Sequence, residues 1–116
     1  MSESENSSTA ASQSQCDKLA AAVLRYCEAN HFKIAAAESL TGGLLADAFV
    51  RIPGASKVFL GSAVTYDIRA KAKILGVNAD LLAREGAVHP EVARQMAAGT
   101  AQLYRQTEDG DLSLIH

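Results

Sequence analysis

Glu38-Ser39-Leu40-Thr41-Gly42-Gly43 breaks off a run of small apolar residues, Ala35 to Ala37, and hands over to an amphipathic segment that resumes at Leu44. A serine at such a strand-to-helix junction sits where open α/β sheets place their ligands. Two glycines let backbone N–H groups point into the gap, and the start of a helix adds partial positive charge, so the turn suits an anion or a developing oxyanion. On that reading Ser39 is a nucleophile. The same residues also make an ordinary helix start, with Ser39 or Thr41 as the cap and the glycines relieving crowding, and a short glycine motif alone does not separate the two.

A nucleophilic serine needs a base. His31 closes a helix, His89 stands as a cap before Pro90, and His116 is the last residue, so none is well placed. Nor do the three have metal-ligand spacing. Lys71 is the better candidate, lying just beyond a second strand-like run and 32 residues from Ser39. Parallel strands of a βαβ unit end on one edge of the sheet, so the two side chains can meet there. A desolvated lysine with a lowered pKa can then take the serine proton. Tyr66, at the same edge, can orient that lysine or bind substrate. Against this, Arg69, Lys71 and Lys73 alternate on a short helix, where lysines are commonly only solvated charges. Glu38 reads equally as a hydrogen-bond acceptor behind the site or as a strand-end charge.

The elements that must carry these residues follow from the pattern. Residues 1–14 are dominated by Ser, Glu, Asn and Ala and read as a disordered tail. Leu19, Val23 and Tyr26/Cys27 recur at helical spacing from about Gln15 to Asn30, with Ser14 as a candidate cap. "FKIAAA" predicts a strand buried on both faces, and "LTGGLLADAFVRI" a helix stopped by Pro53 and Gly54. "KVFLGSAVTY" predicts the second strand, with Gly61 marking a bulge or a close backbone approach. A short helix follows from Asp67 to Gly76, and a second is capped by Asn78 and stopped by Gly86. A third starts at Pro90, with Val92, Met96, Gly99/Thr100 and Leu103 on its inner face. "DGDLSLIH" reads as a turn and the opening of a strand.

Composition bounds the rest. With 116 residues, 48% of them hydrophobic, the chain fits one small α/β domain. The core is rich in Ala and has no Trp, which favours close backbone packing and makes self-association into a homo-oligomer the expectation. The net charge of −2, with basic residues scattered, argues against a nucleic-acid partner. Cys16 and Cys27 lie on one helix about 16 Å apart along its axis and cannot bridge there, so reduced thiols in a cytoplasmic protein are expected. No apolar run approaches the length of a membrane span, and no membrane partner is expected.

The motifs "AESLTGG", "IPGAS", "VTYDIRAKAKILGV" and "EGAVHPEVARQMA", in this order, resemble the nicotinamide-nucleotide amidase family, the C-terminal domain of competence- and damage-inducible CinA proteins. The resemblance runs from about residue 17 to about residue 105. It implies a three-layer α/β fold and hydrolysis of the carboxamide of nicotinamide mononucleotide to the nicotinate form and ammonia, with no cofactor and no metal. It further implies Ser39 as nucleophile, Lys71 as general base and Tyr66 as an active-site partner, with Glu38, Thr41, Gly42 and Gly43 binding the small-molecule nucleotide. Two departures stand out. His89 occupies a position where many relatives carry a small hydroxyl cap. Members also continue past "DLSLI" into a Thr-Gly-x-Ala-Gly-Pro loop, further strands and a substrate-binding Arg, so residues 15–116 are expected to be a partial domain, about two-thirds of the whole. The alternative reading is a nucleotide- or phosphate-binding, or subunit-interaction, remnant of that family whose catalysis is impaired.

Overall fold

The computed structural model describes residues 3–105 and 111–115, with side chains described over 10–105. The order of elements is α1 (Glu3–Ala29), β1 (Phe32–Glu38), α2 (Leu44–Val50), a 3-10 turn (Ala55–Lys57), β2 (Phe59–Val64), α3 (Ile68–Leu75), α4 (Ala79–Glu85), α5 (Pro90–Tyr104) and β3 (Asp111–Ile115). The three strands form one parallel sheet in the order β2-β1-β3. It is an α/β fold in three layers.

The central strand explains the layering. Ala35, Ala36 and Ala37 are at most 1% exposed, and side chains this small let helices approach the sheet closely from both sides. Ile34 joins Ala20, Leu24, Cys27, Phe49 and Val58 in one core, between the sheet and α1 with α2. Ala37 joins Leu75, Val77, Leu82, Val92 and Met96 in the other, beneath α3, α4 and α5. Alternation of side chains along β1 sends Ile34 and Ala37 to opposite faces.

Parallel pairing of β1 with β2 aligns Ala36 with Ser62 and Glu38 with Val64, which brings the two carboxyl ends to one edge. The register slips between Ile34 and Ala35, so that Leu60 has no opposite residue. Gly61 follows it directly, with φ +151, and a Cβ there would lie 2.6 Å from the Tyr104 hydroxyl. Both of the features that Gly61 signals in the sequence, a bulge and a close approach, are present.

The helix boundaries follow local chemistry. Asp67 caps α3 by accepting from Arg69 N–H at 2.7 Å, and Asn78 caps α4 by accepting from Leu81 N–H at 2.9 Å. His89 does cap α5, its Nδ1 accepting from Glu91 N–H at 3.1 Å. α2 is shorter than "LTGGLLADAFVRI" suggests, because Gly42 and Gly43 take positive φ values of 59° and 116° that a helix cannot contain.

Three expectations are corrected. The helical backbone of α1 begins at Glu3 rather than near Gln15, inside the segment read as a tail; no Gly or Pro stands between Glu3 and Ala29 to stop it. The buried stripe of α1 is Ala20, Leu24 and Cys27, while Leu19 and Tyr26 are 61% and 63% exposed. Both stripes have helical spacing, and the smaller side chain at Ala20 fits closer to the sheet. Leu103 is likewise half exposed, and Ala101 is buried instead, beside the expected Val92, Met96 and Thr100. Cys16 and Cys27 are free thiols, the first exposed and the second buried. The turn expected at Asp109-Gly110 lies outside the described residues. Among those described, no helix is long and apolar enough to cross a membrane.

Candidate active site

At the shared edge of β1 and β2, Ser39 leaves the end of β1 and enters two successive turns, closed by Gly42 N–H donating to Ser39 O at 3.1 Å and Leu44 N–H to Thr41 O at 3.0 Å. Lys71 reaches the same place from the first half of α3, anchored to the sheet through the Thr65–Asp67 connection. Its ammonium Nζ donates to Ser39 Oγ at 2.8 Å. The other two Nζ hydrogens are directed at the main-chain carbonyls of Thr65 and Tyr66, the latter at 3.2 Å.

Lys71 is 1% exposed, and no carboxylate forms an ion pair with it among the described residues. Burial pushes its ammonium below the ordinary lysine range, and the Asp67 charge pulls more weakly the other way. The geometry suits the neutral amine as well as the cation. With two N–H groups held by two carbonyls, the lone pair of a neutral Lys71 faces the Ser39 hydroxyl.

Glu38, beside Ser39 in sequence, faces elsewhere. Its Oε1 accepts from Thr41 Oγ1–H at 2.9 Å, Gly43 N–H at 3.2 Å and Leu45 N–H at 2.8 Å. Its Oε2 accepts from Ala46 N–H at 3.1 Å and Ser62 Oγ–H at 2.7 Å. The positive start of α2 thus already holds an anion from within the chain. The turn that the sequence assigned to a ligand, Thr41, Gly42 and Gly43 with Glu38, is tied together internally. Tyr66 is 73% exposed and meets Lys71 through its main-chain carbonyl.

Ser39 opens on a cavity of about 630 Å³ between the β1–α2 turn and the α4–α5 connection. Its far wall includes Val88, His89 and Pro90. Sequence reading gave His89 only a capping role; its place directly after "EGAV" and two residues past Ala87 carried no signal that this loop faces the serine. No group of three or more His, Cys, Asp or Glu side chains is arranged to hold a metal ion among the described residues.

A parallel α/β sheet that presents a serine and a buried lysine in contact at its strand ends defines the class. Within that class the chain belongs to the CinA C-terminal domain family, whose profile matches residues 16–108. It is 56% identical over 70 residues to a CinA-like protein of Geobacter metallireducens, covering 60% of this chain and 17% of that protein. Among solved structures it is similar to the competence/damage inducible protein CihA of Agrobacterium tumefaciens, with a TM-score of 0.73 and 36% identity over 76% of this chain and 53% of that one. A CinA superfamily protein of Escherichia coli gives a TM-score of 0.76 at 33% identity, over 78% and 52% of the two chains. The chain therefore spans about half the length of these solved relatives and less than a fifth of the curated one.

Proposed function

We propose that the chain carries the catalytic dyad of a nicotinamide-nucleotide amidohydrolase, which converts the carboxamide of nicotinamide mononucleotide to the carboxylate and releases ammonia. The observation that carries this reading is the 2.8 Å contact between Lys71 Nζ and Ser39 Oγ, made by a lysine that burial drives toward its neutral form. In the first half-reaction Ser39 Oγ attacks the amide carbon while its proton passes to Lys71 Nζ. The tetrahedral adduct collapses by breaking the C–N bond, and Lys71 returns the proton to the departing nitrogen as ammonia. In the second, a water attacks the resulting ester while Lys71 takes its proton, and the adduct collapses by breaking the C–O bond to Ser39, whose departing Oγ receives that proton back from Lys71 as the acid is formed.

Glu38 supports the nucleophile from behind by fixing the turn that carries it. Its occupation of the α2 N-terminus speaks against the alternative of a phosphate cradle at Thr41-Gly42-Gly43, because a ligand anion there would meet a carboxylate. Tyr66, just past the end of β2 and exposed, is able to contact a substrate. Self-association belongs to the same reading, since Leu19, Val23 and Tyr26 present apolar area to solvent on α1. The deciding experiment measures ammonia release from nicotinamide mononucleotide by the purified chain beside its Ser39→Ala variant. Release that disappears in the variant supports the dyad, and release that persists in it rules the dyad out.

A further inference from the structure

The cavity beside Ser39 is lined mostly by apolar side chains. Its polar side chains are Glu38, Ser39, Thr41 and His89. Glu38 and Thr41 bond each other and the start of α2, and Ser39 is engaged by Lys71. His89 is the polar group that remains, on the wall built by the α4–α5 connection.

The ring of His89 is fixed. Its Nδ1 accepts from Glu91 N–H, so a neutral imidazole carries its proton on Nε2, at the opposite edge of the ring. The nearby Glu91 carboxylate does not compete for that proton, because Arg94 and Gln95 hold it on the surface of α5. Nε2 has no protein partner among the hydrogen bonds of the described side chains. An oriented donor on an otherwise apolar wall reads position and polarity at a single point.

We propose that His89 Nε2–H recognises a hydrogen-bond acceptor on the distal part of the ligand whose carboxamide lies at Ser39. The ligand is then an amide that carries a hydrogen-bond acceptor at its far end, bound in preference to the free amide. This rests on the amidase reading and adds to it a residue that selects the substrate.

The test separates the two. In the Ser39→Ala protein, which holds ligand without turnover, NMR titration compares nicotinamide mononucleotide with free nicotinamide, with and without His89→Ser. Serine is itself a good helix cap, and the thermal midpoint of each variant checks that α5 is retained. The expected result is a loss of roughly tenfold in affinity for the nucleotide, the size of one hydrogen bond, with nicotinamide bound unchanged. Equal affinity of both proteins for the nucleotide, or an equal loss for both ligands, overturns the role of His89 while ammonia release by the protein with intact Ser39 still supports the amidase reading. His89-dependent selectivity without any ammonia release overturns the amidase reading alone.

Discussion

Glu38 and Ser39, adjacent in the chain, send their side chains to different tasks: the Glu38 carboxylate accepts four hydrogen bonds around the start of α2 and a fifth from Ser62 on β2, and the Ser39 hydroxyl accepts one from Lys71 at 2.8 Å. A nucleophile on a loop is only as well placed as the loop is rigid. Here an internal anion supplies that rigidity.

Glu38→Gln tests the point. One carboxylate oxygen becomes an NH₂ group that faces donors, so at least one buried hydrogen bond is replaced by a donor–donor contact. The expected loss of stability is on the order of 3 kcal/mol, measured by urea unfolding. Burial alone raises the Glu38 carboxyl, but donation from Ser62, Leu45, Thr41 and Ala46 outweighs it and holds the group below its ordinary 4.5. A depressed folded pKa means this stabilisation is fully present above pH 4.5 and is lost as pH falls through the lowered value. Acid unfolding of the wild type should carry that component, and Glu38→Gln should lack it.

The meeting of Ser39 and Lys71 was legible because it depends only on topology. Two strands joined by a helix end on one edge, and both residues follow strand ends. The fold class was legible for the same reason, from the Ala35–Ala37 run and the stop signals at Pro53, Gly76 and Gly86. What the sequence did not carry is direction. Nothing in "AESLTGG" says that the carboxylate turns under the helix rather than toward a ligand, since both uses need the same residue at the same place. On α1 the stripe of Leu19, Val23 and Tyr26/Cys27 competes at one period with Ala20, Leu24 and Cys27, and the choice, in which Cys27 alone is common to both, is made by how closely the helix fits the sheet. The exposure of His89 to the cavity is a property of the α4–α5 connection as a whole.

Thr65 offers a contrast between main chain and side chain. Its carbonyl receives Lys71 Nζ–H and its N–H donates to Glu38 O at 2.9 Å, while its buried Oγ1 has no hydrogen-bond partner among the described residues. Thr65→Val keeps the backbone and the shape and removes only the hydroxyl. The variant should melt at the wild-type temperature or higher, with a gain of up to about 1–3 kcal/mol, and should keep the pH dependence of the lysine. A drop in the thermal midpoint would show that the hydroxyl has a partner.

Gly99 fixes the seat of α5. A Cβ at this position would lie 1.9 Å from the Leu75 carbonyl oxygen, which is backbone and cannot swing aside. Gly99→Ala must therefore push α5 away from the end of α3, the helix that carries Lys71. Overpacking of this kind costs about 1–3 kcal/mol, read as a lower midpoint in urea. If Lys71 is displaced as well, ammonia release should fall further than the folded fraction does. Gly76→Ala is the control for stability alone, because no atom lies within 4 Å of its added Cβ but its φ of +71° strains the alanine.

Lys71 ties activity and stability to the same proton. Burial lowers its pKa from the ordinary 10.5, against a smaller opposing effect of Asp67. Ammonia release should rise with pH as the amine is freed, with its inflection below 10.5. Lys71→Ala should lose about 10²–10⁴-fold in kcat, and Lys71→Arg should fare no better, since a guanidinium stays protonated. The stability effect has the same pH slope as that of Glu38, because both folded pKa values lie below the unfolded ones. Between the lowered value and 10.5 the unfolded chain holds the extra proton, so the wild type should gain stability with rising pH through that window. Below the lowered pKa the burden of the buried cation is constant. Lys71→Met removes the titration, so the difference in unfolding free energy between the two proteins, followed by urea denaturation across alkaline pH, should grow in favour of the wild type. A difference that stays flat from neutral pH to 10.5 would mean that Lys71 keeps an ordinary pKa and is no base at neutral pH.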